Sequence, residues 1–209
     1  MPDAPMDSGR IDSIESLEAI YGDAMPRSRT KELDYISEHY QEFVEASPFM
    51  IISSVGPEGL DSSPRGDPAG FCRVVDRHTV LIPDRRGNNR LDTLRNIVRD
   101  PRCSLLFLVP TVGETLRING RAEIRVDPDL LASFGREGKR PRGVIKVTAE
   151  RVYFQCTKAL VRSRLWNAAA WPEKRPTPTA GQILKGIEAS FDGDTYDANY
   201  PEHMKKTIY

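Results

Sequence analysis

The sequence predicts a mainly β protein, a β-barrel with peripheral helices, and three observations carry that prediction. From residue 49 the chain breaks into short β-type runs separated by turn residues. Residues 115–125 alternate apolar and polar side chains without a fault. Helical patterns fall before, between and after these runs, with few crossovers long enough for parallel pairing, so the sheet is expected to be mainly antiparallel.

The β-type runs are residues 49–55, 60–64 after the Gly56-Pro57-Glu58-Gly59 turn, 71–75 and 79–83. Residues 103–109 read as a fully buried strand. In 115–125, Leu116, Ile118, Gly120, Ala122 and Ile124 share one face. Two further strands are expected over 144–148 and 151–155. Among the helices, Asp12 and Glu15 form a capping-box pattern ahead of Ile14, Leu17, Ile20 and Tyr21, which ends at Gly22. Residues 31–46 read as one helix carrying Leu33, Ile36, Tyr40, Phe43 and Val44, stopped before Pro48. Residues 88–99 read as another, with Asn88 or Asn89 as cap and Pro101 as stop. Pro128 opens a short helix closed by Gly135, and Thr157 can cap a turn or two through Trp166. Pro172, Pro176 and Pro178 mark a linker, Thr179 and Gln182 repeat the capping-box signature, and residues 192–209 show no clear period. The expected organisation is a helical segment over 1–46, a barrel domain over 47–167, and a proline-rich linker with a helical tail over 168–209.

Thirty basic residues balance thirty acidic ones, so no global field advertises nucleic acid, anionic membrane or an acidic partner. The apolar runs fall far short of the roughly 20 residues a membrane helix needs. Residues 1–10 are polar and acidic, without the basic and apolar regions of a secretory signal, and read as a disordered lead on a cytoplasmic protein. Cys72, Cys103 and Cys156 show no CxxC spacing and suit reduced, buried thiols. His39, His78 and His203 have no ligand partner at a metal-binding spacing, so no metal site is expected. GxGxxG and GxxxxGK[ST] are both absent, which removes support for a Rossmann or P-loop nucleotide site.

Three segments have the parts of a binding site. Residues 81–90 leave a strand, pass Gly87 and enter a helix, where free N–H groups, the helix dipole, Arg86 and Arg90 suit a phosphate; a solvated basic loop is the bland alternative. Residues 62–67, Ser-Ser-Pro-Arg-Gly-Asp, end an earlier strand, with an Asp67–Arg65 pair across a turn as the structural alternative. Lys158 and Arg162 are like-charged i, i+4 neighbours that repel unless an anion lies between them, close to Ser163, Arg164 and Trp166. Together the three supply what a flavin needs: cations for its phosphate, hydroxyls for its ribityl chain, and donors that stabilise its reduced form. No side chain reads as an acid–base catalyst.

The runs SPRGDPAGF (63–71), LIPDRRGNNRLDTLRNI (81–97), DPRCSLLFLVP (100–110), GETLRINGRAEI (113–124), KALVRSRLW (158–166) and YPEHMKKTIY (200–209) resemble the pyridoxamine 5′-phosphate oxidase-like family of FMN-binding split barrels. The resemblance implies a six-stranded antiparallel split barrel and a homodimer with two FMN sites at the subunit interface. It places Ser63, Arg65, Ile82, Pro83, Asn88, Asn89 and Arg90 around the cofactor, and Pro64 and Arg86 complete the expected cofactor-binding set. Glu114, Thr115 and Arg117 match a strand that meets the flavin from the partner subunit, and Arg162, Ser163, Arg164 and Trp166 fall where the family closes the cleft. The vitamin B6 oxidases carry an arginine-lysine pair at the helix start and a C-terminal arginine-histidine-aspartate type motif. Here Asn88-Asn89-Arg90 stands in the first place and the second is missing. The expected function is therefore an FMN-dependent oxidoreductase acting on another small molecule or electron donor. A non-catalytic FMN sensor and a split barrel using F420 or haem are the alternatives.

Overall fold

The structure, a computed structural model, describes residues 9–209, so most of the lead expected over 1–10 lies outside the described residues. The chain divides into two compact units, one ending at Glu32 and the other running Leu33–Tyr209. The first unit holds α1 (Ile14–Tyr21) and α2 (Pro26–Thr30). Ser13, not Asp12, caps α1, its hydroxyl accepting from the Ser16 N–H at 3.1 Å. Gly22, at φ 68°, ends it.

In the second unit the single helix expected over 31–46 is corrected to α3 (Glu38–Ala46). Leu33 exchanges two backbone hydrogen bonds with Val152, at 2.9 and 2.7 Å, and the chain bends at residues 34–35 before Ser37 caps α3. A sheet contact distant in sequence overrides the local helical spacing.

The sheet contains β1 (Phe49–Gly56), β2 (Gly59–Gly66), β3 (Arg73–Asp76), β4 (Thr79–Asp84), β5 (Arg102–Leu108), β6 (Thr115–Arg125) and β7 (Gly143–Gln155). The order is β2-β1-β5-β6-β7-β4-β3, with every pair antiparallel. Six of these strands have six residues or more, and the four-residue β3 is an addition at one edge. β6 runs over the predicted residues. The two strands expected over 144–148 and 151–155 form one, β7. Asn119 pairs with Arg151 and Gly120 with Ala149, so Glu150 is an extra residue in a bulge. That bulge breaks the period-2 pattern and makes one strand read as two.

Inward-facing residues of five strands form the core: Met50 and Ile52, Val80 and Ile82, Leu105 and Phe107, Leu116 and Ile118, Val147 and Val152. α4 (Asp92–Arg99) adds Ile97 to this core, and α3 adds Val44. Cys72 and Cys103 are buried, and burial pushes both thiols up, Cys103 to about 12; Cys156 is exposed, contrary to the expectation for three buried thiols.

β2 and the β4–β3 hairpin occupy opposite ends of the strand order, and no backbone ladder joins them. Two prolines sit where a missing N–H is tolerated. Pro64 lies on the edge strand β2, and Pro83 on β4 beyond Leu81, the last residue that β3 pairs. The free edges of β2 and β4 leave the barrel split.

Thr157 has helical dihedrals and makes no side-chain capping bond, which corrects the cap expected for α6 (Lys158–Ser163). The Thr179–Gln182 capping box forms as read and starts α7 (Ala180–Ile187). Residues 192–209, without a legible period, are mostly α8 (Gly193–Thr207), started by Asp192 accepting from the Thr195 N–H at 3.1 Å. Aromatic contacts Phe191–Tyr196 and Tyr196–Tyr200, with centroids at 5.5 and 5.7 Å, support it in place of an apolar stripe.

A Cβ at Gly120 would lie 2.0 Å from the Thr148 carbonyl oxygen, a backbone atom that cannot rotate away. Gly120→Ala should therefore destabilise the protein by about 3 kcal/mol, at the upper end for overpacking. Urea unfolding checks this, and an unchanged midpoint would contradict the close β6–β7 approach.

Candidate cofactor cleft

A cleft of ≈ 1160 Å³ opens at the split. Its walls are the end of β2, the 84–91 loop between β4 and α4, the start of α4, Arg142 with Gly143, and Ile208 with Tyr209.

The wall is built around Asp67, whose side chain is 2 % exposed. Its Oδ2 accepts from Arg85 Nε at 2.9 Å and its Oδ1 from the Tyr209 hydroxyl at 2.7 Å, while Arg136 Nε stands 3.7 Å away. Arg85 also donates to the Phe134 carbonyl at 2.9 Å. The Asp67–Arg65 pair considered from the sequence is thus replaced by Asp67–Arg85. Asp67 lies past the end of β2, with its N–H bonded to the Pro48 carbonyl at 3.1 Å, which turns it towards the exit of β4. Hydrogen bonding to Asp67 raises the Tyr209 pKa.

Arg65 is left poorly satisfied. One Nη donates to the Pro64 carbonyl at 2.9 Å, the other stands 3.8 Å from Asp84 Oδ1, and Nε is buried with no partner. Burial pushes the Asp84 carboxyl upward, against the opposing pull of Arg65 and Arg142.

Opposite lies a hydroxyl cluster. Thr93 Oγ1 donates to Asp61 Oδ2 at 2.6 Å, Ser63 Oγ donates to the same oxygen at 3.0 Å, and the two hydroxyls are 3.1 Å apart.

The 84–91 loop corrects the expected asparagine cap. Asn88 Oδ1 accepts from the Arg90 N–H at 3.1 Å and closes a turn of its own, so the helix waits until Asp92. Leu91 holds the cap position at φ 63° without a side-chain capping bond, and Asn89 is also left-handed at φ 60°. A left-handed non-glycine residue costs about 1–2 kcal/mol, and such strain concentrates where a site imposes it. Asn89 Oδ1 accepts from Arg142 at 2.9 Å, and Arg90 pairs with Asp92. Arg86 is exposed and makes no ion pair or hydrogen bond among the described residues.

Of the residues predicted from the sequence, Ser63, Pro64, Arg65, Pro83, Arg86, Asn88, Asn89 and Arg90 come together in this cleft. Ile82 does not line it; its side chain is fully buried in the core. Thr115 bonds Gln155 at 3.3 Å, and Arg117 bonds the Tyr153 hydroxyl at 3.1 Å; with Glu114 they lie outside the cleft of this chain. The same holds for Arg162, Ser163, Arg164 and Trp166, whose indole N–H donates to the Val112 carbonyl at 2.8 Å. Sequence reasoning missed Asp61, Asp84, Arg85, Thr93, Arg142 and Tyr209. Asp61 and Ser63 carry a weak signal, two polar residues at i, i+2 on one strand face. Arg142 and Tyr209 have no local signal, because only the closed fold brings them to β4.

The donor set suits a phosphorylated polyol carrying an aromatic ring. Arg65 has an orphaned buried N–H, Arg86 is unpaired, the Ser63 and Thr93 hydroxyls face the cavity, and Phe71 and Leu94 are apolar in the same lining. Fold and cleft together define an antiparallel split barrel with a cleft at the split whose lining carries cationic and hydroxyl groups. The model of the pyridoxamine 5′-phosphate oxidase family matches residues 36–156, and the chain belongs to that family. Among solved structures it is similar to HupZ from Group A Streptococcus, at 16 % identity over 56 % of this chain and 91 % of that one, with a TM-score of 0.45. It is also similar to the conserved hypothetical protein Rv2991 of Mycobacterium tuberculosis, at 18 % identity over 70 % of this chain and 96 % of that one, TM-score 0.45. An F420 reductase matches at 16 % identity over 57 % of this chain and 98 % of that one, TM-score 0.42. None of the curated proteins matches the chain. No helix among the described residues is long and apolar enough to cross a membrane.

Removing Asp67 strands Arg85, which is 19 % exposed, beside Arg136. Asp67→Ala should cost about 3 kcal/mol in guanidinium unfolding, as breaking a buried pair does; a loss well under 1 kcal/mol would contradict the pairing.

The raised Asp84 pKa has a definite sign. The native state keeps a proton that the unfolded chain releases near pH ~4, so this group's contribution to stability falls as pH rises from there through the native pKa. Asp84→Asn does not titrate, so its stability relative to the parent should climb across that interval and then level off. Urea unfolding at stepped pH measures the difference, and a falling curve would contradict the assignment.

Proposed function

We propose that the protein is an FMN-dependent oxidoreductase acting on a small molecule, and that it works as a cytoplasmic homodimer. The observation that carries this reading is the buried, partnerless Arg65 N–H in the same cleft as unpaired Arg86 and the Asp61–Ser63–Thr93 hydroxyl cluster. An uncompensated buried donor is costly unless a ligand accepts from it.

In this reading Arg65 and Arg86 take the phosphate, with Arg90 joining when it leaves Asp92. The Asn88–Asn89 turn offers backbone N–H groups, Ser63 and Thr93 meet the ribityl hydroxyls, and Phe71 and Leu94 pack against the ring. Bound FMN supplies hydride acceptance at N5. The protein orients the substrate, excludes water and places positive charge near the reduced ring. Its Arg65–Asp84 contact holds a countercharge beside the phosphate site until an anion arrives.

Glu114, Thr115 and Arg117, with Arg162, Ser163, Arg164 and Trp166, complete the cleft across the dimer. The outward faces of β1 and β5 support pairing there, since Ile51, Leu106 and Leu108 are half-buried and Phe49 is exposed on a sheet face that a second copy would cover.

Purified protein should show flavin absorbance or acquire it on titration with FMN, and the bands should bleach anaerobically with NADH, NADPH or a substrate. Arg65→Ala should weaken FMN by about tenfold or more, the loss of one charge-assisted hydrogen bond. Protein that stays colourless and refuses FMN at micromolar concentration would end this reading, and bound FMN without turnover would reduce it to a flavin sensor.

A further inference from the structure

From residue 167 onward the buried residues are Gly181 and Gly193, and they are packed against each other. A Cβ on Gly181 would lie 2.1 Å from the Gly193 carbonyl oxygen. Asp197 ties the same two helices, accepting from the Gly181 N–H at 2.9 Å and from the Thr179 hydroxyl. α7 and α8 are thus a hairpin packed on itself. The linker that leads into it, with Pro172, Pro176 and Pro178, is exposed over residues 171–178. Tyr196, Tyr200, His203 and Met204 of α8 face Arg86, Gly87 and Asn88 across a groove of ≈ 810 Å³ rather than through a packed interface. A segment with so little buried apolar surface belongs to the part of a fold that opens locally.

The hydrogen bonds that tie this hairpin to the barrel among the described residues are both made by Tyr209. Its hydroxyl donates to Asp67 at 2.7 Å, and its main-chain oxygen accepts from Lys139 Nζ at 2.8 Å. Its ring centroid lies 5.6 and 5.5 Å from the Arg85 and Arg136 guanidiniums, within reach of a cation–π attraction. Ile208 and Tyr209 are also part of the cleft wall. The residue that anchors the hairpin is therefore one that closes the cleft.

We propose that residues 179–209 form a strap that gates the cleft, with Tyr209 as its latch. When the latch opens, the strap lifts about the proline-rich linker and takes two wall residues with it, so that a ligand can enter or leave. When it closes, Tyr209 returns to Asp67 and Lys139, and the wall is whole. The strength of the latch sets the fraction of time the cleft stands open. That the gated ligand is a flavin rests on the cofactor reading above, whereas the latch does not.

The test follows FMN binding and release by stopped-flow quenching of flavin fluorescence in the parent, Lys139→Ala and Tyr209→Phe. Lys139 is exposed and does not line the cleft, so its loss reaches FMN through the strap. Each variant removes one hydrogen bond to a charged group, which should raise the open fraction about tenfold. Association and dissociation should both quicken by about that factor, and Kd, their ratio, should hardly move. Tyr209→Phe also leaves an Asp67 oxygen short of a donor, so Lys139→Ala decides where the two variants differ. Faster release without faster entry would make Tyr209 a wall contact only, and slower entry in Lys139→Ala would make that lysine a steering charge. Either result, or unchanged rates, overturns the proposal. Fluorotyrosine labelling reads the latch in protein free of FMN. The Tyr209 fluorine resonance, identified by its loss in Tyr209→Phe, should move towards that of unstructured tyrosine in Lys139→Ala. Failure of FMN to bind would overturn the cofactor reading instead, and the fluorine signal would then decide the latch, a resonance that stays in place overturning it.

Discussion

The Asp67–Arg85 ion pair is the constraint on which the cleft depends. Seven strands curl round until the free edges of β2 and β4 face one another, and no backbone ladder closes the gap. Charge closes it instead. Asp67, just past β2, takes Arg85, just past β4, at 2.9 Å, with the Tyr209 hydroxyl donating to its other carboxylate oxygen at 2.7 Å and Arg136 3.7 Å away. A pair this buried must be nearly fully satisfied to be tolerated. The neighbouring pair differs. Arg65 and Asp84 stand 3.8 Å apart, and Arg65 keeps an orphaned N–H. Two carboxylate–guanidinium contacts a few residues apart thus divide the work, the tight one holding the walls and the loose one leaving a cation able to change partners.

The strands were legible wherever a local period survived. β6 reads correctly because eleven residues alternate against neighbours on both sides without interruption. β7 loses its period at Glu150, a bulge residue visible only once Asn119 and Gly120 are seen in register with it. Residues 31–46 have helical spacing throughout, but Leu33 is claimed by Val152 on β7, more than a hundred residues later in the sequence. α8 has no apolar stripe to detect, since it is held by a cap, a run of aromatic contacts and the close approach of Gly193 to Gly181. In each case the missing information was a partner distant in sequence.

The site was legible in the same measure. Arginines, hydroxyls and asparagines clustered at strand ends pointed to residues 63–65 and 83–90, because binding chemistry concentrates where strands give way to loops. Their partners were another matter. Nothing around Arg142 or Tyr209 signals the cleft, and the asparagines expected to cap a helix instead turn the loop and hold Arg142. The left-handed backbone at Asn89 and Leu91 shows the cost of shaping that loop, and it falls on the segment that carries unpaired Arg86.

The strand order also sets a timetable for synthesis. β4 emerges early, yet its long neighbour is β7, whose Ile145 pairs with Ile82 about sixty residues later. Until the ribosome has delivered β7, the β3–β4 hairpin presents Val80 and Ile82 without cover, in the state that recruits chaperones or sticks to other nascent chains. Pairing so remote in sequence is slow to form. The wall that carries Pro83 and Arg85 is therefore among the last to set, and the cleft takes its shape only on a nearly finished chain.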